Sequence, residues 1–124
     1  KREIGKLYYN NLKRNKYIQI QRLSLPYAKN IYWVFGVLIK PSKKFNRDMI
    51  VGKLLKKNIQ TRNFFYPMHK QKIFKRLKIF DNKSKFPNSE FLSNNGFYLP
   101  SGLGITNKEI LYTCKVLNSV LGIQ

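Results

Sequence analysis

The chain has 124 residues, 43% of them hydrophobic and 15% aromatic, which suits one folded domain (residues 1–124) and argues against disorder. Its 25 Lys and Arg against 5 acidic residues give a net charge of +20. That balance suits phosphate-rich partners, nucleic acid included through non-specific charge, but a Lys/Asn/Ile-biased composition accounts for it equally well.

Residues 2–14 carry Ile4, Leu7, Tyr8 and Leu12 on one helical face and form a leading helix (residues 1–14 with its start). Tyr17 to Leu23 alternates as a short strand that Leu25-Pro26 breaks. Ile31 to Ile39 is a nine-residue apolar run, read as the central, doubly covered strand with Trp33 in the core. It is also the longest apolar run, far too short to span a bilayer. With no signal peptide evident, the expectation is a soluble, cytoplasmic protein without a membrane partner.

Asn46 is the expected N-cap of a helix to about Lys57, with Asp48 in its first turn and Met49, Ile50, Leu54 and Val51 toward the core. Asn58 suits the left-handed position that closes such a helix. Ile59 to Arg62 returns as a strand, and Gln71 to Ile79 forms a short basic helix followed by a polar loop through Asp81 and Ser84. Pro87 starts a helix that Gly96 stops, and Phe97 to Leu99 is a strand. Thr106 to Glu109 is a capping box opening a last helix with Ile110, Cys114, Leu117, Val120 and Leu121 inward, ending at Gly122. The fold class is α/β: a small sandwich of a three- to four-stranded sheet packed with helices.

Chemistry is sparse. The five acids (Glu3, Asp48, Asp81, Glu90 and Glu109) form no pair for acid–base work, and no metal cluster is spaced along the chain. Cys114, the one cysteine, sits on the apolar side of the last helix and reads as a structural thiol. His69 has no evident Cys or carboxylate partner, and Gly102-Leu103-Gly104 lacks the phosphate-loop pattern. Two segments do look like ligand-site walls, Ile59 to His69 and Phe97 to Thr106, each combining rings with a Pro stop. One of Phe64 and Phe65 should be core, since they alternate faces.

The order W-V-F-G-V-L-I (33–39), L-L-K-K-N-I (54–59), T-R-N-F-F-Y-P-M-H (61–69), F-P-N-S-E (86–90) and F-Y-L-P-S-G-L-G-I-T (97–106) resembles the DegT/DnrJ/StrS sugar aminotransferases, the perosamine-synthase-like branch in particular. The resemblance runs through the whole chain but matches only the small C-terminal domain of those fold-type I enzymes. It implies a dimer that uses pyridoxal phosphate to move an amino group, usually from glutamate, to a nucleotide-linked 4-keto-6-deoxy sugar. It also implies that the Schiff-base lysine and phosphate cup lie in a large N-terminal domain. No catalytic residue and no bound cofactor are therefore expected on these residues, and the chain alone should be inactive. Its partner would be the missing domain or a second aminotransferase chain. By the same resemblance Arg62 faces a phosphate or carboxylate, Phe64 and Phe65 form apolar walls, and Tyr66 and His69 contact the sugar or nucleotide diphosphate. Asn58 departs from the family's usual Gly at that point. The alternative reading is a free-standing basic binding module for nucleotide-sugar, nucleic acid or anionic glycan.

Overall fold

The first helix, α1 (Arg2–Leu12), buries Tyr8 and Leu12 and half-buries Ile4 and Leu7, the face its periodicity marks. This computed structural model describes residues 1–81 and 84–123. A short strand β1 (Ile18–Ile20) follows, then a hairpin of β2 (Ser24–Leu25) and β3 (Ala28–Lys29). Pro26 and Tyr27 lie at its turn, where proline's missing donor costs nothing.

The apolar run 31–39 is a strand only over Phe35–Ile39, β4. Every position of β4 is buried except half-buried Leu38, and β4 lies between two sheet neighbours. The run's first half departs from the expectation. Tyr32 takes φ 50°, in the left-handed region, and turns its ring inward over Gly5, where it stacks on Phe35 at 5.7 Å. That kink breaks the alternation, so Ile31 and Trp33 are left 61% and 63% exposed. Trp33 is thus a surface residue, not core. A Cβ on Gly5 would stand 2.1 Å from the Tyr32 ring, so only glycine allows this close approach.

Helix α2 (Arg47–Leu55) is capped by Asn46, whose Oδ1 accepts from the Met49 amide at 2.8 Å. Ile50 and Leu54, one turn apart, are buried; Met49 is exposed, contrary to expectation, because that i, i+4 pair already fills the inward stripe. Asn58 has φ 59°, and the Ile59 amide donates back to the Leu54 carbonyl at 3.0 Å, the left-handed closure the sequence indicates. Ile59 is therefore buried as part of the helix stop, and the strand comes later, at β5 (Arg62–Asn63).

A 3-10 turn (Met68–Lys70) and a short helix α3 (Lys72–Arg76) occupy the expected basic segment. The polar loop through Asp81 and Ser84 lies partly outside the described residues. Helix α4 (Pro87–Asn95) has Pro at its first position and passes through extended Gly96 directly into β6 (Gly96–Leu99). Helix α5 (Asn107–Val120) carries the complete capping box: the Thr106 amide and hydroxyl donate to Glu109 at 2.7 Å, and the Glu109 amide donates to Thr106 Oγ1. Cys114 is buried on its inner face, and desolvation pushes its thiol up to about 12, so it is an unreactive packing group.

The main sheet has order β1-β4-β6-β5, antiparallel throughout. Register fixes its faces: Phe35 lies opposite Leu99, and Val37 opposite Phe97 and Ile20. That face meets Tyr8, Leu12, Ile50, Leu54, Ile110, Leu117 and Leu121 of α1, α2 and α5 in one core. The opposite face carries Gly36, Leu38, Gly96 and Tyr98, with α4 packed against β4 and β6.

Candidate functional site

The segment from Thr61 to His69 runs along the edge of the sheet and between two cavities. Its start is pinned by β5, where Arg62 pairs with Tyr98 and Asn63 with Phe97. Arg62 thereby stands on the Tyr98 side of the sheet, away from the core. It lines an open groove of about 730 Å³ together with Lys1, Trp33, Leu55, Thr61 and Tyr98. Among the described residues no carboxylate pairs with Arg62, so its planar fork is available for an anion. Beside it Thr61 Oγ1 is buried without a hydrogen-bond partner, an unusual state for a polar atom. Lys1 Nζ donates to the Ser101 carbonyl across the groove.

Phe64 does something different. Its ring stacks on Tyr98 at 4.6 Å and lies over two glycines. A Cβ on Gly96 would stand 2.4 Å from that ring, and one on Gly36 would stand 3.0 Å from it. Two glycines on one face of neighbouring strands, Gly36 opposite Tyr98 and Gly96 opposite Leu38, thus make a seat for one aromatic side chain. Phe65 points out at 71% exposure and touches Tyr98 only edge-on at 6.1 Å, so Phe64 is the packed member of the pair. Tyr66 is 61% exposed on the span between the cavities, and Pro67 after it is buried.

His69 lines the other cavity, about 650 Å³, with Lys75, Lys78, Phe80, Asp81 and Phe86. The carboxylate its sequence position does not reveal comes from α4: Nε2 lies 3.1 Å from Glu90 Oε1. An ionised carboxylate only accepts, so Nε2 carries the hydrogen. Lys70 Nζ donates to the other Glu90 oxygen at 2.7 Å. The Lys70 hydrogen bond first, and the His69 contact second, hold the Glu90 carboxyl below its ordinary range. The His69 ring also stacks on Phe86 at 4.6 Å, which fixes its orientation.

The structure therefore brings Phe64 against Tyr98 beside Arg62, but puts Arg62 and His69 in separate cavities. Thr61 and Tyr98, which lie in the two wall segments without having been singled out, join Arg62, as do Lys1 and Trp33, which the sequence did not mark as site residues. Tyr98 could have been found by alternation from core Phe97 and Leu99. Trp33 could not, since the same alternation counted back from Phe35 points it inward.

The described residues do not assemble a pyridoxal-phosphate site by themselves. The 730 Å³ groove has no carboxylate to face a pyridinium nitrogen, and its one lysine is tied to Ser101. The other paired carboxylates are committed elsewhere, Asp48 to Arg47 and Glu109 to its cap. Nor do three or more His, Cys, Asp or Glu gather to hold a metal among the described residues.

Residues 1–118 match the model of the DegT/DnrJ/EryC1/StrS aminotransferase family. The chain belongs to this family. Among curated relatives of this DegT-family chain, GDP-perosamine synthase of Escherichia coli O157:H7 is 29% identical over 118 residues, 95% of this chain and 30% of that one. GDP-perosamine synthase of Vibrio cholerae is 27% identical over 88 residues, 71% of this chain and 23% of its own. The chain thus spans less than a third of these relatives. The fold agrees with solved aminotransferase structures. An aminotransferase from Streptoalloteichus hindustanus superposes with TM-score 0.80 at 17% identity, covering 98% of this chain and 31% of that one. A putative sugar aminotransferase from Streptococcus pneumoniae, solved in a PMP form, gives 0.82 at 17% identity over 95% of this chain and 29% of its own.

Proposed function

We propose that these residues are the small, substrate-side domain of a pyridoxal-phosphate-dependent sugar aminotransferase, one that moves an amino group from glutamate to a nucleotide-linked 4-keto-6-deoxy sugar. The observation that carries this reading is the family match over residues 1–118 in a chain that covers only 30% of its E. coli relative. Two features of the groove support it. Among the described residues it presents Arg62 with no counter-charge, as a site for an anionic substrate group would. It is also bordered by Trp33 and Leu55, 63% and 57% exposed, the sort of apolar surface that a second domain covers. In this reading pyridoxal phosphate is held by residues outside these 124, in a partner domain or chain, and the assembled enzyme is a dimer.

The role of each side chain follows from its position. Arg62 takes a phosphate or carboxylate through its two parallel N–H donors. Phe64, seated on Gly36 and Gly96, keeps the 61–69 segment at a fixed height above the sheet. Tyr66 offers its hydroxyl from an exposed span, and His69, oriented by Glu90 and Phe86, offers its other ring nitrogen to the sugar or the nucleotide diphosphate. No helix among the described residues is long and apolar enough to cross a membrane; we place the reaction in the cytoplasm.

Co-expression with the cofactor-binding domain of a family relative tests this. A complex that co-purifies, absorbs as bound pyridoxal phosphate and transaminates a nucleotide keto-sugar is the expected result. A chain that stays monomeric and colourless beside a folded partner domain would overturn the reading.

A further inference from the structure

The strip from Met68 to Phe80 joins two properties that the groove chemistry does not use. Its rings are turned inward: Phe74 meets Phe80 at 6.1 Å, Phe80 meets Phe86 at 5.5 Å, and Phe86 stacks on His69. That chain of contacts fastens α3 to the body of the domain. Its aliphatic side chains are turned outward instead. No residue of α3 is buried, and Met68, Ile73, Leu77 and Ile79 are 54, 49, 60 and 57% exposed. Ile73 and Leu77 are i, i+4 neighbours on one face, with Lys72 and Arg76 along the adjoining flank.

The charge of the strip has one sign. The chain carries no acidic residue between Asp48 and Asp81. Glu90 reaches Lys70, but Lys72, Lys75, Arg76 and Lys78 make no ion pair among the described residues. A second copy of this face would bring like charges together, which disfavours self-association here. Nucleic acid would meet the cations but gain nothing from exposed aliphatic groups, while the rings that could stack on bases are already engaged. A surface that takes both is an anionic bilayer: phosphates for the cations, and a headgroup boundary for short aliphatic side chains.

We propose that this strip rests on an anionic phospholipid surface, with Ile73 and Leu77 entering the headgroup region and Lys72 and Arg76, which lie outside the His69 cavity, meeting lipid phosphates. No helix among the described residues is long and apolar enough to cross a bilayer, and the contact proposed is with its surface. The proposal does not rest on the aminotransferase reading.

Co-sedimentation of the full chain with vesicles tests it. The probes are phosphatidylcholine vesicles with and without phosphatidylserine, and single-stranded DNA as a competitor polyanion. Binding only to the serine-containing vesicles is expected. Ile73→Ser with Leu77→Ser should weaken that binding about tenfold or more, the conservative Ile73→Leu with Leu77→Ile should keep it, and Lys72→Gln with Arg76→Gln should weaken it and flatten its salt dependence. DNA binding should be indifferent to the serine pair. Because Ile73 and Leu77 are exposed, all variants should melt with the parent. The idea is overturned by no vesicle binding or by equal binding to neutral vesicles. It is equally overturned by serine variants that bind as the parent does, since attraction to any polyanion would then be enough.

Discussion

Replacing Gly96 by Ala should destabilise the fold, while the chemically identical change at Gly52 should stabilise it. Gly96 is extended, with φ −101° and ψ 146°, a conformation alanine accepts, so only packing opposes the methyl group. That packing is severe: the new Cβ would lie 2.4 Å from the Phe64 ring and 2.6 Å from the Leu92 carbonyl oxygen. The ring can leave its seat only by giving up its stack on Tyr98, and the carbonyl belongs to the last turn of α4. Overpacking of this kind costs roughly 1–3 kcal/mol, and the lost ring stack adds about 0.5–1.5 kcal/mol. We expect about 2–4 kcal/mol in all, seen as a fall in Tm of roughly 6–15 °C. Gly36→Ala, whose Cβ comes no nearer than 3.0 Å to the Phe64 ring edge and 3.8 Å to the Gln21 side chain, should cost less. Gly52 lies inside α2 with nothing within 4 Å, so Ala there should add about 0.5–1 kcal/mol from helix propensity. Urea unfolding followed by circular dichroism measures all three. Phe64→Ala combined with Gly96→Ala should cost less than the sum of the two, because no ring remains to be displaced. A Gly96→Ala protein within about 0.5 kcal/mol of the parent would refute the seat, as would full additivity with Phe64→Ala.

Other outcomes follow from the same geometry. Thr106→Ala removes the cap of α5 and should cost about 0.5–2 kcal/mol in urea unfolding. Glu90, held below its ordinary 4.5, contributes stability that is present above that value and is lost as pH falls through the lower folded value. Glu90→Gln should therefore flatten the acid limb of the stability profile, and the Glu90 carboxyl carbon should titrate below 4.5 by NMR. Cys114, with its thiol pushed up to about 12 and 3% exposed, should resist a thiol reagent at neutral pH until the chain is unfolded. Asn58→Ala, at φ 59°, should cost about 1 kcal/mol, whereas Asn58→Gly should not destabilise.

Local signals made much of this fold legible. Asn46, Asn58, Pro87 and the Thr106–Glu109 box each announce a helix end through a hydrogen bond or a dihedral that the residue itself supplies, and each does so in the structure. Gly96 instead marks the end of α4 in an extended conformation that any residue adopts, and is glycine for the Phe64 ring. The four-stranded sheet and its helical cover follow from those ends. Trp33 was not legible, because a single left-handed residue, Tyr32, resets the alternation, and its stability depends on Gly5 nearly thirty residues earlier. The same holds around the candidate site. Arg62 and His69 are close in sequence, yet the Phe64 seat and the Glu90 pairing fix them in separate cavities, and both depend on partners from distant elements. Lys1 reaches the groove through a bond to Ser101, a contact no local pattern encodes.

The most direct test of the central reading is a chimera in which this chain replaces the matching 118 residues of the E. coli GDP-perosamine synthase. The account predicts a folded, pyridoxal-phosphate-bound enzyme that transaminates a nucleotide keto-sugar. It also predicts that Arg62→Ala raises KM by roughly tenfold or more, as loss of a charge-assisted pair implies, while the cofactor absorbance stays. A chimera that folds and holds its cofactor yet turns over no sugar, or one indifferent to Arg62, would contradict it.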